Sequence, residues 1–146
     1  NMKDSFYMLL YRVFHAKRSY LHARRDGTGL GTGQPKLLVY LKDHEACNQK
    51  ELAEYFEIDP SAVSRMLRAM EKNGFVTRRT DPESRRSDRV TLTEKGGDYA
   101  EIWRANYRKL EKTILKGFSP EEAEQFAGYL LRAYKNFQSE GGGGHA

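Results

Sequence analysis

One cysteine, Cys47, is all the 146 residues contain, so no internal disulfide can hold this chain together. No apolar run approaches the roughly 18 residues needed to cross a bilayer, and the amino end has no signal-peptide pattern; a cytoplasmic location is expected. The four histidines (15, 22, 44 and 145) are scattered, and no HExxH, GxSxG or CxxC spacing occurs. Catalysis needs a nucleophile, base or metal set in mutual reach, and nothing here supplies one, so neither an enzyme nor a cofactor is expected. The length suits one domain that buries roughly two-thirds of its unfolded surface.

What the chain does have is positive charge in one place. The formal net charge is +5, and between Pro60 and Leu92 eight Arg and Lys residues stand against four acids, a local +4. A helix opens this stretch: Asp59 suits the cap, and Pro60 suits a first position whose N–H has no partner anyway. At about 100° per residue, Val63, Met66, Leu67 and Met70 fall on one face, and Ser61, Ser64, Arg65, Arg68 and Lys72 fall opposite. Asn73-Gly74 ends the helix. Phe75-Val76-Thr77 begins a strand, TDPESRRSD is a polar turn-rich run, and Arg89-Val90-Thr91-Leu92 alternates as a half-buried strand does. The spacing predicts a two-stranded hairpin with a long charged tip carrying Arg85 and Arg86. Ordinary solvated charges would explain any one of these runs. A basic helix face opposite an apolar one, a basic hairpin after it and a shorter helix before it together describe a winged helix-turn-helix, which binds double-stranded DNA.

The rest of the chain is mostly helical. From Ser5, the residues Phe6, Leu9, Leu10, Val13, Phe14, Tyr20 and Leu21 recur at helical spacing to about residue 25. Glycines at 27, 29, 31 and 33 could suggest a phosphate cradle, but such a loop follows a strand; here it follows a helix and reads as a flexible connection. Leu37, Leu38 and Leu41 mark a short helix over Gln34 to His44. Asn48 and Glu51 then form a capping box for the first helix of the motif, whose amino end and Gln49 could hold a DNA phosphate. Beyond the hairpin, Thr93 caps a long helix with Gly96-Gly97 in its first turn. Ser119-Pro120-Glu121-Glu122 starts another, which carries Phe126, Leu130, Ala133, Tyr134 and Phe137. The predicted class is mainly α with a small β-hairpin wing. Residues 34–92 form the DNA-binding lobe, 5–25 and 93–138 supply long helices that pair across a dimer, and 141–146 are a disordered or appended tail.

Four segments carry a family resemblance: Leu30-Gly31-Thr32-Gly33-Gln34-Pro35, Gln49-Lys50-Glu51-Leu52-Ala53, Glu71 through Arg78, and Leu92-Thr93-Glu94-Lys95-Gly96. With these the sequence resembles the MarR (multiple-antibiotic-resistance regulator) family. Asp81-Pro82-Glu83-Ser84-Arg85-Arg86 is similar to the family's Asp-Pro-x-Asp-Arg-Arg wing pattern, with Ser84 where many members carry an Asp that holds the wing-tip arginine. The resemblance implies a homodimeric transcriptional regulator whose wing arginine reaches the minor groove. It also implies a small aromatic or phenolic effector between the lobes, for which Tyr11, His15, Tyr40 and Trp103 are candidate lining residues.

The function expected is a sequence-specific repressor of a pseudo-palindromic operator, relieved by such an effector. Its DNA-binding residues are Gln49, Ser61, Ser64, Arg65, Arg68, Lys72, Arg85 and Arg86. Two alternatives use the same fold. A metal- or redox-responsive regulator would use His44, Glu45 and Cys47, which share one junction, although such ligand types often coincide in a solvated turn. A non-specific architectural protein would bind nucleic acid by charge alone.

Overall fold

The computed structural model describes residues 5–80 and 88–141, which divide between Leu110 and Glu111 into two compact units. Six helices are present among the described residues: α1 Phe6–Arg25, α2 Gln34–Asp43, α3 Gln49–Phe56, α4 Pro60–Lys72, α5 Glu94–Ile114 and α6 Pro120–Gly141. Strands β1 Cys47–Asn48, β2 Val76–Thr80 and β3 Asp88–Leu92 form an antiparallel sheet in the order β1-β3-β2. The expected hairpin is therefore one strand wider. Cys47 pairs with Val90 and Asn48 with Arg89, so the two residues that lead into α3 also cover the free edge of β3. A two-residue strand has no alternation to read, which is why the sequence pattern passed it over. None of the described helices is long and apolar enough to cross a membrane.

Local chemistry sets the helix ends. Asn48 Oδ1 accepts from Glu51 N–H at 2.8 Å and Asp59 Oδ1 from Ser61 N–H at 2.8 Å, each satisfying a first-turn donor. In the second unit Ser119 and Glu122 make both bonds of a capping box, at 3.1 and 2.9 Å. Phe118 lies against Phe126 with ring centroids 5.7 Å apart.

The core of the first unit lies between α2, α3, α4, the sheet and α5. Leu37, Leu38, Leu52, Val63, Leu67, Met70, Phe75 and Val90 are wholly buried, and Trp103 of α5 is 1% exposed. The glycine-rich segment is pinned rather than loose. Leu30 is buried, Gly31 N–H donates to Gln34 Oε1 at 2.9 Å, and the Asn73 amide donates to the Gly29 carbonyl at 3.2 Å. Gly33 takes a left-handed φ of 80° as the residue before α2, a conformation open to glycine at no steric cost.

Gly96 is fixed for a different reason. A Cβ built there would overlap the carbonyl oxygen of Phe75, so α5 starts directly against the backbone at the root of the hairpin. Thr93 closes the same corner, donating to the Gly74 carbonyl at 2.6 Å and accepting from Gly96 N–H at 3.0 Å. Farther along, Arg104 of α5 makes a two-pronged bond to Asp43 at the end of α2, at 2.7 and 3.3 Å, which holds that carboxyl below its usual pKa.

Candidate nucleic-acid interface

Helix α4 presents the two faces that its spacing calls for. Val63, Leu67 and Met70 are sealed in the core and Met66 packs against it, while Ser61, Arg65, Arg68 and Lys72 are exposed and Ser64 is half-buried. Thirteen residues give a helix about 20 Å long, enough to follow a major groove, with 65, 68 and 72 on one side of it. No acid pairs with Arg65, Arg68 or Lys72 among the described residues. The carboxyl end of α4 is secured separately: Lys95 Nζ donates to the Asn73 carbonyl at 2.9 Å, where a cation also favours the helix dipole.

Not every expected contact residue is equally free. Ser61 Oγ donates to Asp59 Oδ1 at 2.8 Å and so takes part in the cap. Gln49 is half-buried, and its side-chain amide faces the protein: Nε2 donates to the Pro60 carbonyl and Oε1 accepts from Arg78, both at 3.3 Å. The amide expected to meet a phosphate thus has one contact within the protein on each of its two polar atoms. The spacing that suggested Gln49 could not show this, since Pro60 and Arg78 come to it only through the packing of α3 against α4 and the hairpin. Arg85 and Arg86, with Ser84, lie outside the described residues. At the base of the hairpin Arg79 and Arg89 pair across the strands and are both exposed, adding charge that the residue-by-residue reading did not single out.

A cleft of about 710 Å³ lies within the first unit, lined from α1, α2 and α5. His15 and Trp103, two of the four candidate effector residues, line it. Tyr11 is not among the lining residues and stacks on His15 at 5.8 Å. Tyr40 is elsewhere: it stacks on His44 at 4.0 Å, sits against Tyr55 and Phe56, and donates to Glu51 at 3.2 Å. An aromatic side chain three residues from a core leucine faces whichever neighbour covers that turn, and here α3 does. Missed by the sequence reading are the cleft's cations, Lys17, Arg18, Arg25 and Lys36. Burial, helped by Lys17, lowers the Lys36 pKa, and burial pushes the Tyr107 phenol up to about 12. The Trp103 indole N–H, also at this cleft, is buried with no acceptor among the described residues.

At the junction proposed for sensing, His44 stacks on Tyr40 and its Nδ1 lies 3.0 Å from the Tyr40 carbonyl oxygen, and among the described residues there is no group of three His, Cys, Asp or Glu side chains that could hold a metal. Cys47 is buried, and burial together with Glu51 pushes its thiol up to about 11, the reverse of what a reactive thiolate needs.

Known proteins share this architecture and parts of this sequence. The MarR family model matches residues 32–87. The uncharacterized HTH-type transcriptional regulator YdgJ of Bacillus subtilis (strain 168) is 30% identical over 112 residues, 77% of this chain and 68% of its own length. YxaD, an uncharacterized HTH-type transcriptional regulator of the same organism, is 30% identical over 126 residues, 86% of this chain and 88% of its own. Among solved structures, an S. aureus MepR–DNA complex covers 90% of this chain and 98% of that one, with a TM-score of 0.84 at 22% identity, a likeness of fold.

Proposed function

The chain belongs to the MarR family and is a DNA-binding transcriptional regulator rather than an enzyme, and we propose that it acts as a homodimeric repressor of a pseudo-palindromic operator, released by a small anionic or phenolic effector. The observation that carries the reading is α4: one face wholly in the core, the other free and basic. In this reading α4 enters the major groove, Arg65 reads a base edge with Ser61, Ser64, Arg68 and Lys72 beside it, and Arg85 and Arg86 of the wing contact the backbone or minor groove. Residues 34–92 are the DNA-binding lobe, and 5–25 with 93–138 the dimer lobe.

Dimer formation is supported by what each unit leaves uncovered. No residue of α1 is buried, and Phe6, Leu9, Leu10, Val13 and Phe14 are each about half exposed or more. No residue of α6 is buried either, and Leu130, Tyr134 and Phe137 are exposed. Monomeric proteins seldom leave contiguous apolar faces of this kind in water, and a two-fold partner would cover them. The effector reading is supported by the cleft beside α1, whose four cations and unpaired indole donor suit a ligand bearing an anionic acceptor.

Selection of bound duplexes from a randomised DNA library with purified protein tests the reading. The expected product is a motif with two-fold symmetry whose half-sites lie about one helical turn, roughly 34 Å, apart. Binding that follows salt concentration alone, with no motif recovered, would show a non-specific binder instead.

A further inference from the structure

We propose that Arg78 is a positioning residue for DNA recognition, fixing both ends of α4 against the root of the wing through Gln49 and Glu71. Strand alternation first shows that Arg78 is out of place for a DNA contact. Its cross-strand partner is Val90, which is wholly buried, whereas Arg79 beside it pairs with the exposed Arg89. Arg78 therefore stands on the core side of the hairpin and Arg79 on the solvent side. An arginine at a core-side position is costly unless its donors are matched, and this one is 18% exposed with two partners.

Those partners define a strut. Arg78 Nε lies 3.8 Å from Glu71 Oε1 in the last turn of α4, and Nη1 donates to Gln49 Oε1 at 3.3 Å. The other end of the Gln49 amide donates at 3.3 Å to the carbonyl of Pro60, the first residue of α4. One guanidinium thus links β2, the start of α3 and both ends of α4. Apolar packing of Val63, Leu67 and Met70 holds the helix to the core. It is non-directional, and the two hydrogen bonds through Gln49, together with the Arg78–Glu71 ion pair, add directed contacts at both ends of α4 that hold its rotation and axial position relative to the wing. Base readout by a bidentate side chain tolerates errors of only about 0.5 Å, so losing the strut should be felt in discrimination before stability.

The inference rests on α4 being the recognition helix, and the experiment separates the two. Wild type, Arg78→Ala, Arg78→Lys, Gln49→Ala and the Arg78→Ala/Gln49→Ala double variant are titrated with a duplex that wild type selects from a randomised library and with a shuffled duplex. Melting temperature and the dependence of affinity on salt are measured alongside. Each alanine variant should lose about tenfold on the selected duplex, the scale of one hydrogen bond to a charged group, with little change on the shuffled one. The double variant should lose no more than the worse single, and Arg78→Lys, which keeps the charge without the fork, should recover only part. Gln49→Ala leaves the Arg78–Glu71 pair in place and carries the test if Arg78→Ala does not fold. Additive losses, a salt slope reduced by about one unit, or equal loss on both duplexes in step with the melting temperature would each overturn the proposal. Failure of wild type to select any duplex would overturn the recognition-helix reading and the strut with it.

Discussion

Two arginines on different elements should divide the labour of DNA binding. Arg65 faces outward from α4 with no acidic partner among the described residues, so Arg65→Ala should cost about 1–3 kcal/mol on the selected duplex and relax preference at one base position. Arg86→Ala should weaken binding on all sequences and lower the salt slope by about one unit, as loss of a phosphate or minor-groove contact does. Competition titrations against single-base variants at several salt concentrations would resolve both. Cys47 supplies a pH prediction. Its thiol, ordinarily near 9.0, is pushed up to about 11 by burial and by Glu51, so the folded state holds that proton more tightly than the unfolded state. The contribution to stability is complete below about pH 9 and is lost as pH rises towards about 11, because the unfolded chain ionises first. Denaturant midpoints across that window should fall, and Cys47→Ser should remove that part of the fall. At neutral pH, alkylation of Cys47 should proceed only as fast as the protein opens; rapid stoichiometric labelling of the native state would contradict this placement.

Adjacent glycines in α5 should respond in opposite directions. At Gly96 a methyl group meets the Phe75 carbonyl, a backbone atom that cannot swing away, so Gly96→Ala should destabilise by roughly 1–3 kcal/mol as α5 is forced off the hairpin. At Gly97 the nearest neighbour is the end of the Lys42 side chain at 3.5 Å, an ordinary contact, and Gly97→Ala should stabilise by roughly 0.5–1 kcal/mol through the entropy it removes from the unfolded chain. Thermal melts of the pair give the sign directly. The pair of glycines reads in the sequence as a soft first turn. The structure makes Gly96 the tightest point of the joint, because Thr93 and the start of α5 share the Phe75 carbonyl region.

For the whole molecule, Leu10→Glu or Leu130→Glu should convert a dimer to monomer in sedimentation at micromolar concentration, since each puts a carboxylate on an exposed apolar face. Leu130→Glu that left a dimer intact would remove α6 from the interface. An effector that lowers operator affinity a hundredfold needs about 2.7 kcal/mol of coupling, and the operator must weaken that effector by the same factor. Calorimetric titration of a monocyclic phenolic acid with and without the selected duplex measures this, and unchanged affinity would exclude the compound. Most of the fold was legible along the chain because its signals are local. The Asp59 and Asn48 caps, the Ser119 capping box, the two faces of α4 and the glycine after it depend on neighbours within one or two turns. Composition likewise placed the charge, and its opposition to an apolar face pointed to DNA. Other features required the chain to close on itself. β1 is too short to have a period, Gln49 meets Pro60 eleven residues and Arg78 twenty-nine residues away, and Tyr40 turns from the cleft because α3 lies over it. Arg78 is one of these. Phe75 and Val76 are neighbours and both apolar, so alternation along the sequence leaves its face open; the pairing of Arg78 with Val90 decides it, and tertiary packing supplies the amide and the carboxylate that make a charge tenable there.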